Sequence, residues 1–262
     1  MGNAPSSSPG LSGLSKTGLT LFSHAPSIQD RWGEHSTPIH LFFIMKLFKN
    51  NSEQTDFIIP WLTFTICLGS VLLFLILGAV PDILIYNRSA IENGEIWQLL
   101  SNHFVHCDLS HLGWNITAFF ILGSLLEQRL LRTRLFGLIT ISCIGVSIWL
   151  WFLKTDLTLY CGLSGILNGL LSALLLILWR ENKHPLIPLV GVAAVMKIII
   201  ETLSQQTIFT HFSWESVPGA HGAGMIAGVV FFLITVVGRT CSLSRKNHFL
   251  RMIPFNSGSL KK

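Results

Sequence analysis

Charge is scarce in this chain. Only 12% of its 262 residues are Asp, Glu, Lys or Arg, against roughly a quarter in soluble domains, and the mean hydropathy is +0.57. That shortage excludes an ordinary water-soluble globule. Five cysteines are present, Cys67, Cys107, Cys143, Cys161 and Cys241, with no CxxC spacing among them. They read as small buried hydrophobes, with a Cys107–Cys161 bridge left geometrically open. No HExxH signature occurs, so the polar group His103, His106, Asp108 and His111 is not read as a zinc site. No metal and no cofactor are expected.

A net charge of +5 would point to nucleic acid in a soluble protein. Here the 18 Lys and Arg fall in short clusters abutting apolar stretches, and no basic face is interleaved with aromatics. The lipid bilayer is therefore the expected partner, and nucleic acid is not.

Six apolar runs follow a polar, Ser/Gly/Pro-rich start, at 57–80, 109–127, 135–153, 160–179, 185–203 and 218–237. Each is long enough to cross a hydrocarbon core of roughly 30 Å as a helix. Helices are required there because the backbone finds no water partners. The expected fold is an all-α, six-helix polytopic membrane bundle over 57–237. It is flanked by a disordered extension at 1–56 and a basic tail at 238–262. Met45 and Lys46 just ahead of the first run make residues 1–44 a candidate start-site artefact.

Orientation follows from the cations. Four precede the first run, six follow the last, and Arg129, Arg132, Arg134, Arg180 and Lys183 lie in the 2–3 and 4–5 connections. The other three connections hold only Arg88 and Lys154, which puts both termini in the cytoplasm. Runs two, four and six then all enter from the extracytoplasmic side. Their third, fifth and fourth residues, His111, Ser164 and His221, fall in one shallow layer, where buried polar groups are costly.

Ser164 lies in Gly162-Leu163-Ser164-Gly165, at a helix start whose free N–H groups and positive dipole end suit an oxyanion. Alone, such a motif more often describes a packing serine bonded one turn back. His221 precedes Gly224 and Gly228, which with Ala220 form a small-residue stripe for close helix contact. If that stripe packs on Gly162 and Gly165, the His221 Nε2 atom reaches Ser164 Oγ as general base. A lone intramembrane histidine is otherwise a structural hydrogen-bonder. His111 and Asn115, four apart on one helical face, are the candidate side-chain donors of an oxyanion hole shared with the Ser164 N–H. An interhelical hydrogen bond is the alternative for Asn115. Lys197 and Glu201 are expected to pair with each other or a neighbour, with a Ser–Lys mechanism as the minor alternative. Paired membrane aspartates are absent, which argues against an intramembrane aspartyl protease.

Together these residues resemble the rhomboid family of intramembrane serine proteases. The loop from Trp97 to His106 and Glu127 at the far end of the second run are similar to that family as well. Within it, Gly162-Leu163-Ser164-Gly165-Ile166-Leu167-Asn168-Gly169 looks like the rhombosortase branch. Two positions depart from the pattern. Gln98 stands where the family commonly has Arg, and Asn168 stands where it commonly has Tyr, or His in the branch; Asn168 is expected to hydrogen-bond His221 instead.

The resemblance implies a Ser164–His221 dyad supported by Gly162, Gly165, Asn168, Gly224 and Gly228. It implies cleavage of transmembrane protein substrates near the extracytoplasmic face of a bacterial inner membrane. The branch further implies C-terminal anchors made of Gly-Gly, a helix and a basic tail. A catalytically silent rhomboid-like binder of membrane segments and a small transporter are the competing readings.

Overall fold

The computed structural model describes residues 58–204 and 217–252, with side-chain surroundings as far as Thr235. The expected extension at 1–56 and the end of the basic tail lie outside the described residues. Helix α1 (Trp61–Leu77) starts directly after Pro60 and stops at Gly78, whose φ of 79° breaks the helix. The helical part of the first apolar run is therefore 17 residues, about 26 Å long, shorter than the run itself.

A folded connection follows, containing β1 (Tyr86–Asn87), α2 (Arg88–Glu92), α3 (Gln98–Ser101) and a 3-10 turn at Asn102–Phe104. Helix α4 (Leu109–Glu127) leads to α5 (Arg132–Ile148), which ends in a π-helical turn at Trp149–Leu153. Strand β2 (Leu159–Tyr160), α6 (Ser164–Asn182), α7 (Leu186–Ser204) and α8 (Pro218–Met252) complete the order. Five helices among the described residues are long and apolar enough to cross a membrane: α4, α5 with its π turn, α6, α7, and α8 over Pro218–Thr235. With α1 they account for the six expected runs, and the protein is an all-α polytopic membrane protein. The described strands are one two-residue antiparallel pair, Tyr86 opposite Tyr160.

Two boundaries differ from the expectation. The fourth run was to be helical from residue 160, but Leu159–Tyr160 pair as a strand and Gly162 turns with φ of 113°. Ser164 is thus the first residue of its helix rather than the fifth of a longer one. At the other end α8 continues in helical form to Met252, so position 237 marks a change of composition and not of backbone.

Helix α6 forms the core of the bundle, with Ile166, Leu170 and Ala173 fully buried. It packs most closely on α8. A Cβ built at Gly224 would overlap the Gly165 carbonyl, and one at Gly228 would overlap the Gly169 carbonyl and Ser172 Oγ. The Ser172 hydroxyl also bridges the seam by donating to the Met225 carbonyl at 2.9 Å. The small-residue stripe therefore meets Gly165 and Gly169, one turn deeper than the expected Gly162 and Gly165. At the opposite end of the bundle, Glu127 receives the Thr63 N–H at 2.9 Å and the Thr63 hydroxyl at 2.7 Å. It also pairs with Arg132 at 3.3 Å. A carboxylate at the N-terminus of α1 satisfies orphan amides and complements the helix dipole.

The seam gives a direct test. Gly224→Ala should lower the thermal midpoint in detergent micelles, by a destabilisation of about 2–4 kcal/mol. Gly222→Ala, whose added carbon meets only Ile198 Cγ2 at 4.0 Å, should leave the midpoint unchanged.

Candidate active site

Three helix beginnings supply the site. Ser164 opens α6, His111 is the third residue of α4 and His221 the fourth of α8. Across the glycine seam the His221 Nε2 atom lies 3.0 Å from Ser164 Oγ, a hydrogen-bonding distance. Both side chains are partly buried rather than sealed. With Nε2 accepting from the hydroxyl, the ring proton resides on Nδ1.

His111 and Asn115 are held beside this pair from α4. Asp108 caps that helix, its carboxylate accepting the His111 N–H at 2.7 Å. The two side chains lie over Gly162: a Cβ there would sit 2.5 Å from His111 Cε1, 2.7 Å from His111 Nε2 and 3.3 Å from Asn115 Nδ2. Glycine is required both by its positive φ and by this close approach. Gly162 thus serves α4, not the α8 stripe expected to pack on it. Asn115 Nδ2 is buried and makes no hydrogen bond among the described residues, so the expected alternative of an interhelical bond from this amide is not observed. A buried amide nitrogen with a donor to spare, next to a nucleophile-bearing helix start, is suited to a transient negative charge.

Asn168 is placed otherwise than expected. Its amide donates to the Ser164 carbonyl at 2.9 Å, one turn back along α6, instead of reaching His221. The small amide folds onto its own helix.

The loop before α4 holds the Ser164 segment from outside. Gly162 N–H donates to the Asn102 carbonyl at 2.9 Å, and the β1–β2 pair ties down Leu159–Tyr160. Gln98, the departure from the family pattern, is fully buried and binds the loop together. Its carbonyl accepts from Asn87 N–H at 2.9 Å, and its amide donates to Asp82 O at 3.1 Å and Glu95 Oε2 at 2.8 Å. Arg88 donates to the carbonyls of Leu150, Trp151, Lys154 and Leu157 at 2.8–3.2 Å, closing the exposed end of the α5 π turn.

The histidines of the loop, not read as a zinc site from the sequence, have separate surroundings. His103 Nε2 pairs with Ser147 Oγ at 3.1 Å, whereas the His106 ring packs edge-on against His111. A different trio, Cys107, His111 and Cys161, has donor atoms within 4.8 Å of one another, one fewer than a closed structural zinc site uses. Cys67, Cys107, Cys143 and Cys161 are all buried and free, and Cys241 lies outside the described side chains. Cys107 is pushed down, chiefly by a hydrogen bond from the Cys161 thiol and then by His111, while Cys161 is pushed up by the same contact and by burial.

Sequence reasoning paired Lys197 with Glu201, and their side chains meet at 2.6 Å. It did not place the other carboxylate oxygen, which is 3.9 Å from His221 Nδ1. An acidic residue inside an apolar run was the available signal; its facing partner on a distant helix was not readable. The ion pair also engages the Lys197 ammonium needed for a Ser–Lys mechanism.

The chain matches the family described as the Rhomboid domain over residues 93–238, more than half its length, and it belongs to that family. Rhomboid membership implies intramembrane serine protease activity on transmembrane substrates, although the family includes inactive members. The protein is an integral membrane protein. No curated protein matches the chain.

Burial pushes His103 down to about 4 and His106 down to about 3. Their folded pKa values lie below the unfolded one near 6.5, so the unfolded chain takes up more protons as pH falls. Stability should be full above pH 7 and should decline below about 6.5, on the order of 2 kcal/mol per histidine by pH 5. Thermal midpoints across pH 5–8 check this, and the decline should be shallower in His106→Gln.

Proposed function

We propose that this protein is an active intramembrane serine endopeptidase, with Ser164 as nucleophile and His221 as general acid and base. The observation carrying this reading is the 3.0 Å contact between His221 Nε2 and Ser164 Oγ. In the first step the Ser164 hydroxyl proton passes to Nε2 while Oγ attacks the scissile carbonyl carbon. The carbonyl oxygen becomes an oxyanion next to the Ser164 N–H and the side-chain donors of His111 and Asn115. The imidazolium then protonates the leaving amine as the C–N bond breaks, leaving an acyl ester on Ser164. Water, deprotonated by Nε2, attacks that ester; the proton returns to Oγ and the acid product departs.

The glycines have distinct parts in this reading. Gly224 and Gly228 bring α8 against Gly165 and Gly169 and so set the depth of His221. Gly162 makes room for the α4 donors. Asn168 stabilises the first turn of α6 rather than the imidazole.

By the cation distribution, both termini are cytoplasmic and the site faces the extracytoplasmic side, and the resemblance to rhombosortases implies a bacterial inner membrane. The substrate is an anchored protein whose membrane helix must unwind at the scissile bond, which favours small residues there. The resemblance to rhombosortases points to C-terminal anchors of Gly-Gly, helix and basic tail.

Co-expression with a reporter bearing such a tail tests the proposal. Wild type should release the reporter, whereas Ser164→Ala and His221→Ala should give only background release. Asn115→Ala should lower kcat by about 100-fold or more with little change in KM. Release that survives Ser164→Ala would exclude the dyad. Cleavage of other membrane anchors but not of this tail would exclude only the substrate class.

A further inference from the structure

We propose that Glu201 on α7 is a positioning residue for His221, extending the Ser164–His221 pair to a serine–histidine–carboxylate relay; this rests on the protease reading above. Among the described residues of α7 only Ile187 and Glu201 are buried, and the rest of the helix lies at the bundle's periphery. The Glu201 side chain is 1% exposed, whereas that of Lys197, one turn earlier, is 37% exposed. The ion pair is therefore directional: the ammonium lies toward the outside and the carboxylate points inward, at the imidazole.

One carboxylate oxygen takes the ammonium at 2.6 Å. The other stands 3.9 Å from His221 Nδ1, on the side of the ring opposite Ser164. Hydroxyl, imidazole and carboxylate thus succeed one another from α6 through α8 to α7. A carboxylate at Nδ1 keeps the proton on that nitrogen, turns the Nε2 lone pair toward the nucleophile and stabilises the imidazolium that forms during attack. A separation of 3.9 Å exceeds a hydrogen bond, but such contacts are commonly long without substrate and tighten in the reacting complex. Lys197 balances the buried carboxylate, so that the acid does not stand as an isolated charge in lipid. Among the described residues, the charged and titratable groups acting on the ring are Glu201 and Lys197 from α7 and His111 from α4.

An ion pair that only stabilised the helix would make a different prediction. Removing one partner of a buried pair harms the protein by leaving the other charge uncompensated, and removing both relieves that harm. Glu201→Gln and the double variant Lys197→Met/Glu201→Gln therefore separate the two roles.

The full chain in detergent micelles is treated with a fluorophosphonate probe, which reports the nucleophilicity of the serine without a peptide substrate. Wild type should label and Ser164→Ala should not. Both Glu201 variants should lose at least about tenfold in the maximal inactivation rate, with the probe's half-saturating concentration unchanged. The double variant should keep a thermal midpoint close to wild type. In 15N-histidine spectra the His221 Nδ1–H signal of the wild type should weaken or move to Nε2–H. A double variant that labels at the wild-type rate, or that slows only through weaker probe binding, overturns the proposal and leaves the dyad standing. Wild type that does not label overturns the protease reading, and this inference with it. Should the double variant not fold, Glu201→Gln with the same rate and spectral readouts decides the matter.

Discussion

Contact between the backbones of α6 and α8 is the constraint on which the rest of this structure depends. In lipid there is no hydrophobic gain from bringing two apolar helices together, so association rests on close packing and on hydrogen bonds across the interface. Gly165 and Gly169 on one helix and Gly224 and Gly228 on the other bring the two backbones into direct approach. Ser172 adds a hydrogen bond across the same seam. Because Ser164 and His221 each lie just above this contact, any side chain inserted into it would move them apart. The seam determines packing and site geometry together.

A second constraint acts from outside the bundle. The segment just ahead of Ser164 is neither helix nor free loop. It is tied by the β1–β2 pair and by the Asn102–Gly162 hydrogen bond, to a connection that Gln98 and Arg88 organise through carbonyl and amide contacts. Glutamine serves where the family commonly has arginine because the partners here include the Asn87 N–H as well as acceptors, and a primary amide can answer both. The start of α6 is thereby fixed from above by the loop and from the side by α8.

Much of this is legible in the amino-acid sequence. Apolar run lengths define the spans, and costly polar residues at three helix beginnings mark the candidate site, whose side chains lie close together. The spacing of Ala220, Gly224 and Gly228 indicated a close helix contact. What was not readable concerns partners across helices. The stripe meets its counterpart one turn deeper than expected because Gly162 is outside the helix in a left-handed turn. Asn168 is short enough to fold back onto Ser164 O, which side-chain type alone does not decide. Glu201 was visible as a membrane acid with a lysine four residues away, and that local pairing concealed its second neighbour on α8.

The central claim is that one hydroxyl and one imidazole, fifty-seven positions apart in the sequence, act together on one substrate carbonyl. A mechanism-based chloroisocoumarin tests this most directly, since it acylates an activated serine and then exposes an electrophile to the nearest imidazole. Peptide mass spectrometry of the treated full chain should find a single reagent joining the Ser164 and His221 peptides. Modification of a different serine, or a link from Ser164 to any other histidine, would contradict the account.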